Sequence, residues 1–225
     1  ILSRGTKVIC YLKDDQLQFL DGAYLRDLIL CHSCFVRWPL FLRLERQVSP
    51  NGASIYVWER MNKVEPVWLW PAAKVSHQEY LGVYRWLTGD FSEPLAMRHV
   101  ERSGSHQVEF RSLLFCPRAA PEDIFDVIEG RTQGAKIRLY VRRVFVKEFG
   151  DLLPKWMCFM RGVVDSDDLP LNISREQLQK ESAVMRHISK VLMRECFDMF
   201  NTLACDQLRF QSFQTAFGQN LKLGM

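Results

Sequence analysis

No apolar run in this 225-residue sequence approaches the roughly 20 consecutive residues that a membrane-spanning helix needs, so no membrane role is expected. Charge of one sign is also scarce. A formal net charge of +4, with no basic stripe interleaved with aromatics, is too small to support a nucleic-acid claim, and no such partner is expected. Internal repeats and low-complexity tracts are absent. There is no glycine-rich phosphate loop, no Gly-x-Ser-x-Gly and no His-Glu-x-x-His, which removes the common motif-bearing nucleotide, hydrolase and zinc-protease chemistries. The histidines His32, His77, His99, His106 and His187 show no ligand spacing, so no metal site is expected and each fits a surface or satisfied-core role. No signal peptide precedes the first strand-like segment. The chain opens on Ile1, and so reads as a piece from which targeting information has been cut.

Cysteine is present but unorganised. Seven scattered thiols, an odd number, favour reduced side chains over a disulfide framework. The one local cluster, Cys31-His32-Ser33-Cys34, could begin a zinc or redox site. With no second pair at ligand spacing, it reads as free, partly buried thiols near a helix end.

What remains is ordinary globular material, 48% hydrophobic and 25% charged, long enough to bury a full core. Thr6 to Leu12 alternates and predicts a strand with one buried face; Asp21 opens a helix through Tyr24, Leu25, Leu28 and Ile29. Leu40 to Arg46 predicts a second strand, and Ser49-Pro-Asn-Gly-Ala-Ser54 a boundary rich in turn formers. Pro66-Val-Trp-Leu-Trp-Pro71 supplies core anchors, followed by a short amphipathic helix from Gln78 to Leu87. Ala96 to Glu101 and Val108 to Phe115 predict a hairpin. Ile137 to Val146 predicts one strong strand, with Arg142 and Arg143 as solvated charges on its rim. From Ser174 onward, Leu178, Val184, Met185, Ile188, Val191, Leu192, Met199 and Phe200 make one long helical stripe, and Phe210, Phe213 and Phe217 a further helix. Strands and helices alternate, so the fold class is α/β with a helical C-terminal tail.

One residue breaks a local rule. Ser174 reads as an N-cap with Gln177 as its capping-box partner, which puts Arg175 at the first helical position, against the positive end of the helix dipole. A cation there costs a few tenths of a kcal/mol. With Asn172 beside it and Gln179 one turn along the same face, Arg175 is aimed at an anion outside the chain. The plainer alternative is an ion pair with Asp165, Asp167 or Asp168.

The run Arg161-Gly-Val-Val-Asp-Ser-Asp-Asp-Leu-Pro-Leu-Asn-Ile-Ser-Arg-Glu176 closely resembles the middle-domain signature of heat-shock protein 90 chaperones. Ile137 to Phe145, Val108 to Phe115 and Asn220 to Gly224 resemble family segments in family order. Arg4-Gly-Thr6 with Leu12 to Leu17 is similar to the closing strand of the family's ATP-binding domain. The resemblance implies that residues 1–47 end that domain, 48–54 form a shortened linker, 55–204 form the large layered α-β-α subdomain of the middle domain, and 205–225 lead towards a smaller one.

It also implies roles. Arg175 would reach the γ-phosphate of ATP, with Asn172 and Gln179 as the other polar members of a catalytic loop. Thr6 matches a threonine near the adenine. Phe145 matches an apolar residue on the surface that docks the ATP-binding domain. Gly89-Asp-Phe91 stands where cytosolic members carry a tryptophan tied to client and co-chaperone contacts, and Phe91 keeps an aromatic there. The implied partners are client proteins, co-chaperones, the protein's own ATP-binding domain and a second copy joined through a C-terminal domain. ATP with Mg2+ belongs to the full-length protein, and none is expected on this piece. Leu153-Pro-Lys-Trp156 and Gln179-Lys-Glu-Ser-Ala183 look like mitochondrial or plastid-type members, which implies an organelle, with the cytoplasm as the alternative.

Overall fold

The computed structural model describes residues 4–47, 54–103, 108–120, 135–169 and 183–224. The chain falls into two compact units, Ile1–Val64 and Glu65–Met225.

In the first unit, the segment from Thr6 to Leu12 is not the predicted strand. It runs as irregular chain, with Val8 79%, Ile9 60% and Tyr11 92% exposed. Alternation shows that a segment can pair, but among the described residues no strand of this unit takes it as a partner. A kinked 3-10 segment, Asp14–Leu20, follows. The Asp21 carboxylate then accepts the Ala23 amide at 2.9 Å and caps α1, Gly22–Ser33, where the sequence places a helix start. Strands β1, Phe41–Gln47, and β2, Ser54–Arg60, form an antiparallel hairpin from Phe41↔Arg60 to Gln47↔Ser54. Thus Ser54 to Arg60, expected beyond a linker, pairs back onto β1; residues 48–53 lie outside the described part. The buried Asn62 ties the base of this hairpin. Its Oδ1 accepts from the Leu40 amide at 2.7 Å, and its Nδ2 donates to the carbonyls of Val36 at 2.7 Å and Trp38 at 2.6 Å.

The second unit is a five-stranded mixed sheet with helices on both faces. Helix α2, His77–Thr88, begins on a full Ser76/Glu79 capping box and ends at Gly89 with φ 71°. Strands β3, Ala96–Arg102, β4, Phe110–Cys116, β5, Lys136–Val141, β6, Val144–Phe149, and β7, Arg161–Asp165, lie in the order β3-β4-β7-β5-β6. All neighbours are antiparallel except β5 and β7. Helices α3, Ala183–Ala204, and α4, Gln207–Lys222, complete the unit.

The period-2 rule sorts the two faces. Leu114 and Cys116 of β4, Ile137 and Leu139 of β5 and Val164 of β7 join the core that Met185, Ile188, Leu192, Cys196 and Met199 of α3 fill. On the other face, Tyr84 of α2 packs on Phe115 at 5.5 Å. Trp68, fully buried in the short 3-10 turn Val67–Leu69, packs on Tyr140 at 5.3 Å. The layered α-β-α arrangement expected from the sequence is therefore the arrangement observed. An aromatic cluster docks α4, with Phe217 stacked on Phe159 at 4.1 Å. None of the seven cysteines is in a disulfide, and burial pushes the Cys196 thiol up to about 12, which keeps it inert.

One prediction within the sheet is corrected. Ile137 to Val146 is not a single strand but two, β5 and β6, joined by the two-residue turn Arg142-Arg143. Both arginines take left-handed conformations, φ 52° and 66°, as a tight two-residue hairpin turn requires. Such turns are normally made by Asn-Gly or Asp-Gly, so two arginines hid the chain reversal. Non-glycine residues at such φ cost about 1 kcal/mol or more each.

Candidate functional site: the carboxyl end of the parallel strand pair

Strands β5 and β7 are parallel neighbours, with Tyr140 opposite Asp165 at their carboxyl ends. The carboxyl ends of parallel strands are where α/β sheets place their sites. Here two features leave the sheet side by side. One is the Arg142-Arg143 turn. The other is the segment 166–169 that leads towards Asn172, Arg175 and Gln179.

Asp165 joins the two. It is buried, its Oδ2 accepts from the indole Nε1 of Trp68 at 3.2 Å, and its Oδ1 accepts the amide of Arg143 at a longer 3.4 Å. Burial pushes its carboxyl above its ordinary value; the Trp68 and Arg143 hydrogen bonds oppose that shift. The exit beyond it is held residue by residue. The Ser166 amide donates to the Tyr140 carbonyl at 3.2 Å, and its hydroxyl donates to the Glu109 carbonyl at 2.6 Å. The Asp168 amide donates to Ser166 Oγ at 3.3 Å, while Asp168 Oδ2 accepts the Glu109 amide at 2.8 Å. Leu169 is buried in the same core as Met185 of α3. Two of the three acids offered as ion-pair partners for Arg175, Asp165 and Asp168, thus already accept hydrogen bonds from other groups.

Asn172, Arg175 and Gln179 lie outside the described residues, as does the Ser174 cap. Thr6 is exposed in irregular chain, with exposed neighbours from Lys7 to Leu12, so the described residues around it wall no nucleotide pocket. Phe145, half-buried in β6, sits 5.6 Å ring to ring from Tyr140, beside the Asp165 exit. Phe91 is 80% exposed in the turn after α2, where the Arg85 guanidinium lies 5.7 Å from its ring. The Asp90 carboxylate shapes that turn by accepting from Tyr84 Oη at 2.9 Å, Ser92 Oγ at 2.7 Å and the Ser92 amide at 2.8 Å. The Ser92 contacts hold it below the usual carboxylate range.

Sequence reasoning missed Trp68 and Asp165 as a linked pair and Arg142-Arg143 as a turn. The adjacent arginines interrupting an alternating run were the one signal available for the latter. His99 is half-buried, with both ring nitrogens partnered, by Tyr80 Oη at 2.9 Å and the Trp68 carbonyl at 3.2 Å. No group of His, Cys, Asp and Glu among the described residues could hold a metal ion, and no described helix is long and apolar enough to cross a membrane.

These features define an α/β layered domain with a firmly anchored exit at the end of the parallel pair β5 and β7. The family model described as Hsp90 protein matches residues 51–225, and the chain belongs to that family. It is 36% identical to the "Endoplasmin homolog" of Caenorhabditis elegans over 256 residues, and 34% identical to "Heat shock protein 90-5, chloroplastic" of Arabidopsis thaliana over 251. Both alignments cover the whole of this chain but only 32% of the relative, so the chain spans about a third of the length of these relatives.

Proposed function

We propose that the chain is the middle segment of an ATP-dependent molecular chaperone and that Arg175 completes the ATPase. In this reading residues 1–47 close the ATP-binding domain, 48–54 link it onward, 55–204 form the large middle subdomain and 205–225 lead to a smaller one. ATP, with Mg2+, is the substrate and is held on the ATP-binding domain. When that domain docks on the middle segment, Arg175 brings a fixed cation to the γ-phosphate, where charge redistributes during phosphoryl transfer. Asn172 and Gln179 hold the loop and contact nucleotide or domain, and Phe145 adds apolar burial that favours docking.

The observation that carries this reading is the anchored exit at Asp165 to Leu169. A cation acts in catalysis only if its supports are rigid, and here each residue from Asp165 to Asp168 but one is tied by a hydrogen bond to Trp68, Tyr140, Glu109 or Ser166. The family membership supports the chaperone role, and the names of the two relatives support an organellar home over a cytoplasmic one.

Arg175→Ala in the full-length protein is expected to cut ATP turnover about 100-fold or more while ATP affinity holds. Equal turnover in the two proteins would sink the assignment. A second reading, a module that only binds clients or co-chaperones, draws on the exposure of Phe91. It requires that same substitution to be silent in turnover. The 225-residue chain alone is expected neither to hydrolyse ATP nor to be stabilised by it in a thermal melt.

A further inference from the structure

We propose that Cys31 and Cys34 form a site of reversible disulfide closure, oxidised by a small-molecule disulfide of the glutathione type and reopened by a thiol. The proposal is independent of the reading of Arg175. It begins from the motif Cys31-His32-Ser33-Cys34, to which the chaperone role assigns no task. No group of His, Cys, Asp and Glu among the described residues could hold a metal ion, so no described residue completes the pair as a zinc site.

The two thiols differ in the way that dithiol exchange needs. Cys31 is exposed, whereas Cys34 is only 8% exposed. The accessible thiol meets the reagent. The buried thiol one turn away is shielded from a second reagent molecule, so its route to oxidation is attack on its neighbour.

Their place in the fold favours closure. Cys31 lies in the last turn of α1 and Cys34 is its C-cap, with φ −62° and ψ −22°. Residues three apart on a helix hold their Cβ atoms about 5–6 Å apart, and a disulfide needs about 3.8 Å. Closure therefore draws the pair together by roughly 1–2 Å. A helix interior would resist that movement, but this end is already tightening. The Val36 amide donates to the Ser33 carbonyl three residues back, at 3.2 Å. Tightening towards a 3-10 turn brings side chains three apart into eclipse, which is the movement that ring closure requires. A ring closed against residual strain is readily reduced, and so acts as a switch and not as a staple. It acts on the joint between α1 and β1, where Phe35 is buried and Asn62 binds the carbonyls of Val36 and Trp38.

The steps balance. The Cys31 sulfur, its proton given to water, attacks one sulfur of the oxidised reagent and releases one reagent thiolate. The Cys34 sulfur, likewise deprotonated, attacks the Cys31 sulfur of that mixed disulfide, and the second reagent thiolate leaves. The two thiolates take up the two protons. Two protein thiols are oxidised, and one reagent disulfide is reduced to two thiols.

The test places the full-length protein in glutathione buffers stepped from reduced to oxidised, with a thermal melt to show that it stays folded. Cleavage after arginine releases Asp27 to Arg37, a single peptide that carries both cysteines. In oxidised buffer most copies of this peptide are expected to become two hydrogens lighter, and dithiothreitol is expected to restore them. Cys34→Ala is expected to stop at a glutathione adduct on Cys31. Cys31→Ser is expected to carry about tenfold less adduct on Cys34 than that variant carries on Cys31, because the buried thiol is shielded. Cys10 and Cys205, exposed but with no cysteine within three residues, are expected to hold adducts without closing a ring. A wild-type Cys31 that keeps its glutathione overturns the proposal. So does an unmodified peptide, or a cross-link from Cys31 to any cysteine other than Cys34.

Discussion

The indole Nε1 of Trp68 donates to the buried carboxylate of Asp165 at 3.2 Å, joining residues 97 apart in the sequence. The bond fastens the 3-10 turn before α2 to the last residue of β7, where the chain starts out towards Arg175. A buried carboxylate needs such donors, because each hydrogen bond to a charged group contributes about 1.5–3 kcal/mol. Trp68→Phe keeps an aromatic ring on Tyr140 but removes the donor, so a loss of about 2 kcal/mol is expected. Urea unfolding with an unchanged m-value would measure it.

The same carboxylate carries a pH signature. Burial raises the folded-state pKa of Asp165 above its ordinary 3.8, so the folded chain binds this proton more tightly than the unfolded chain does. The resulting stabilisation is complete below the unfolded value and is lost as pH rises through the folded one. Asp165→Asn abolishes that dependence. Across about pH 4 to 7, the stability difference between the two proteins is expected to shift in favour of wild type towards the acid end. Parallel stability curves would show that the carboxyl titrates as it does in the unfolded chain.

Helices were legible where local chemistry decides them. Asp21 caps α1, and the apolar spacings of α2, α3 and α4 are strong enough to survive any tertiary context. Two strand predictions failed for opposite reasons. Thr6 to Leu12 has the pattern of a strand but is paired with no strand among the described residues, a fact about partners that a pattern does not contain. Ile137 to Val146 has the pattern of one strand because the reversal falls on Arg142 and Arg143, which carry none of the usual turn chemistry. Within the candidate site, Arg175 stood out through a local rule, whereas the Trp68–Asp165 bond depends on residues brought together only by the folded sheet.

Gly162 is fixed by close approach rather than by conformation. It lies in β7 between β4 and β5, and a Cβ built there would stand 2.4 Å from the Leu113 carbonyl oxygen and 3.1 Å from Leu114 Cδ2. The first of these is backbone in a central strand and has no rotamer to change. Gly162→Ala must therefore push β4 away from β7, at a cost of about 3 kcal/mol. Thermal melting of the 225-residue chain would detect this as a clear fall in midpoint. An unchanged midpoint would mean that the two strands can separate freely.

Phe217 tests how α4 is held. It is fully buried, stacked on Phe159 at 4.1 Å and packed near Phe213 at 5.6 Å. Truncation to alanine leaves a cavity that surrounding rings cannot close, so a loss of about 3–5 kcal/mol is expected. Phe210 lies at the edge of the same cluster and is half-buried, and its truncation should cost visibly less. Equal losses at the two positions in denaturant unfolding would contradict this ranking.

Phe91 poses the opposite case, an aromatic that the fold does not need. Its ring is 80% exposed, yet the backbone beneath it is shaped by the Asp90 carboxylate and its three bonds to Tyr84 and Ser92. A large apolar side chain presented on an ordered turn loses little entropy when an apolar partner covers it. Phe91→Ala is expected to leave stability within about 0.5 kcal/mol of wild type. In the full-length protein it should weaken the suppression of aggregation of an unfolded test protein. Asp90→Ala provides the complementary variant, because it frees the turn while leaving the ring in place. If Phe91 acts as a preset contact, both variants weaken suppression, and only Asp90→Ala also lowers the melting temperature. Undiminished suppression by Phe91→Ala would remove this surface from the client-binding role.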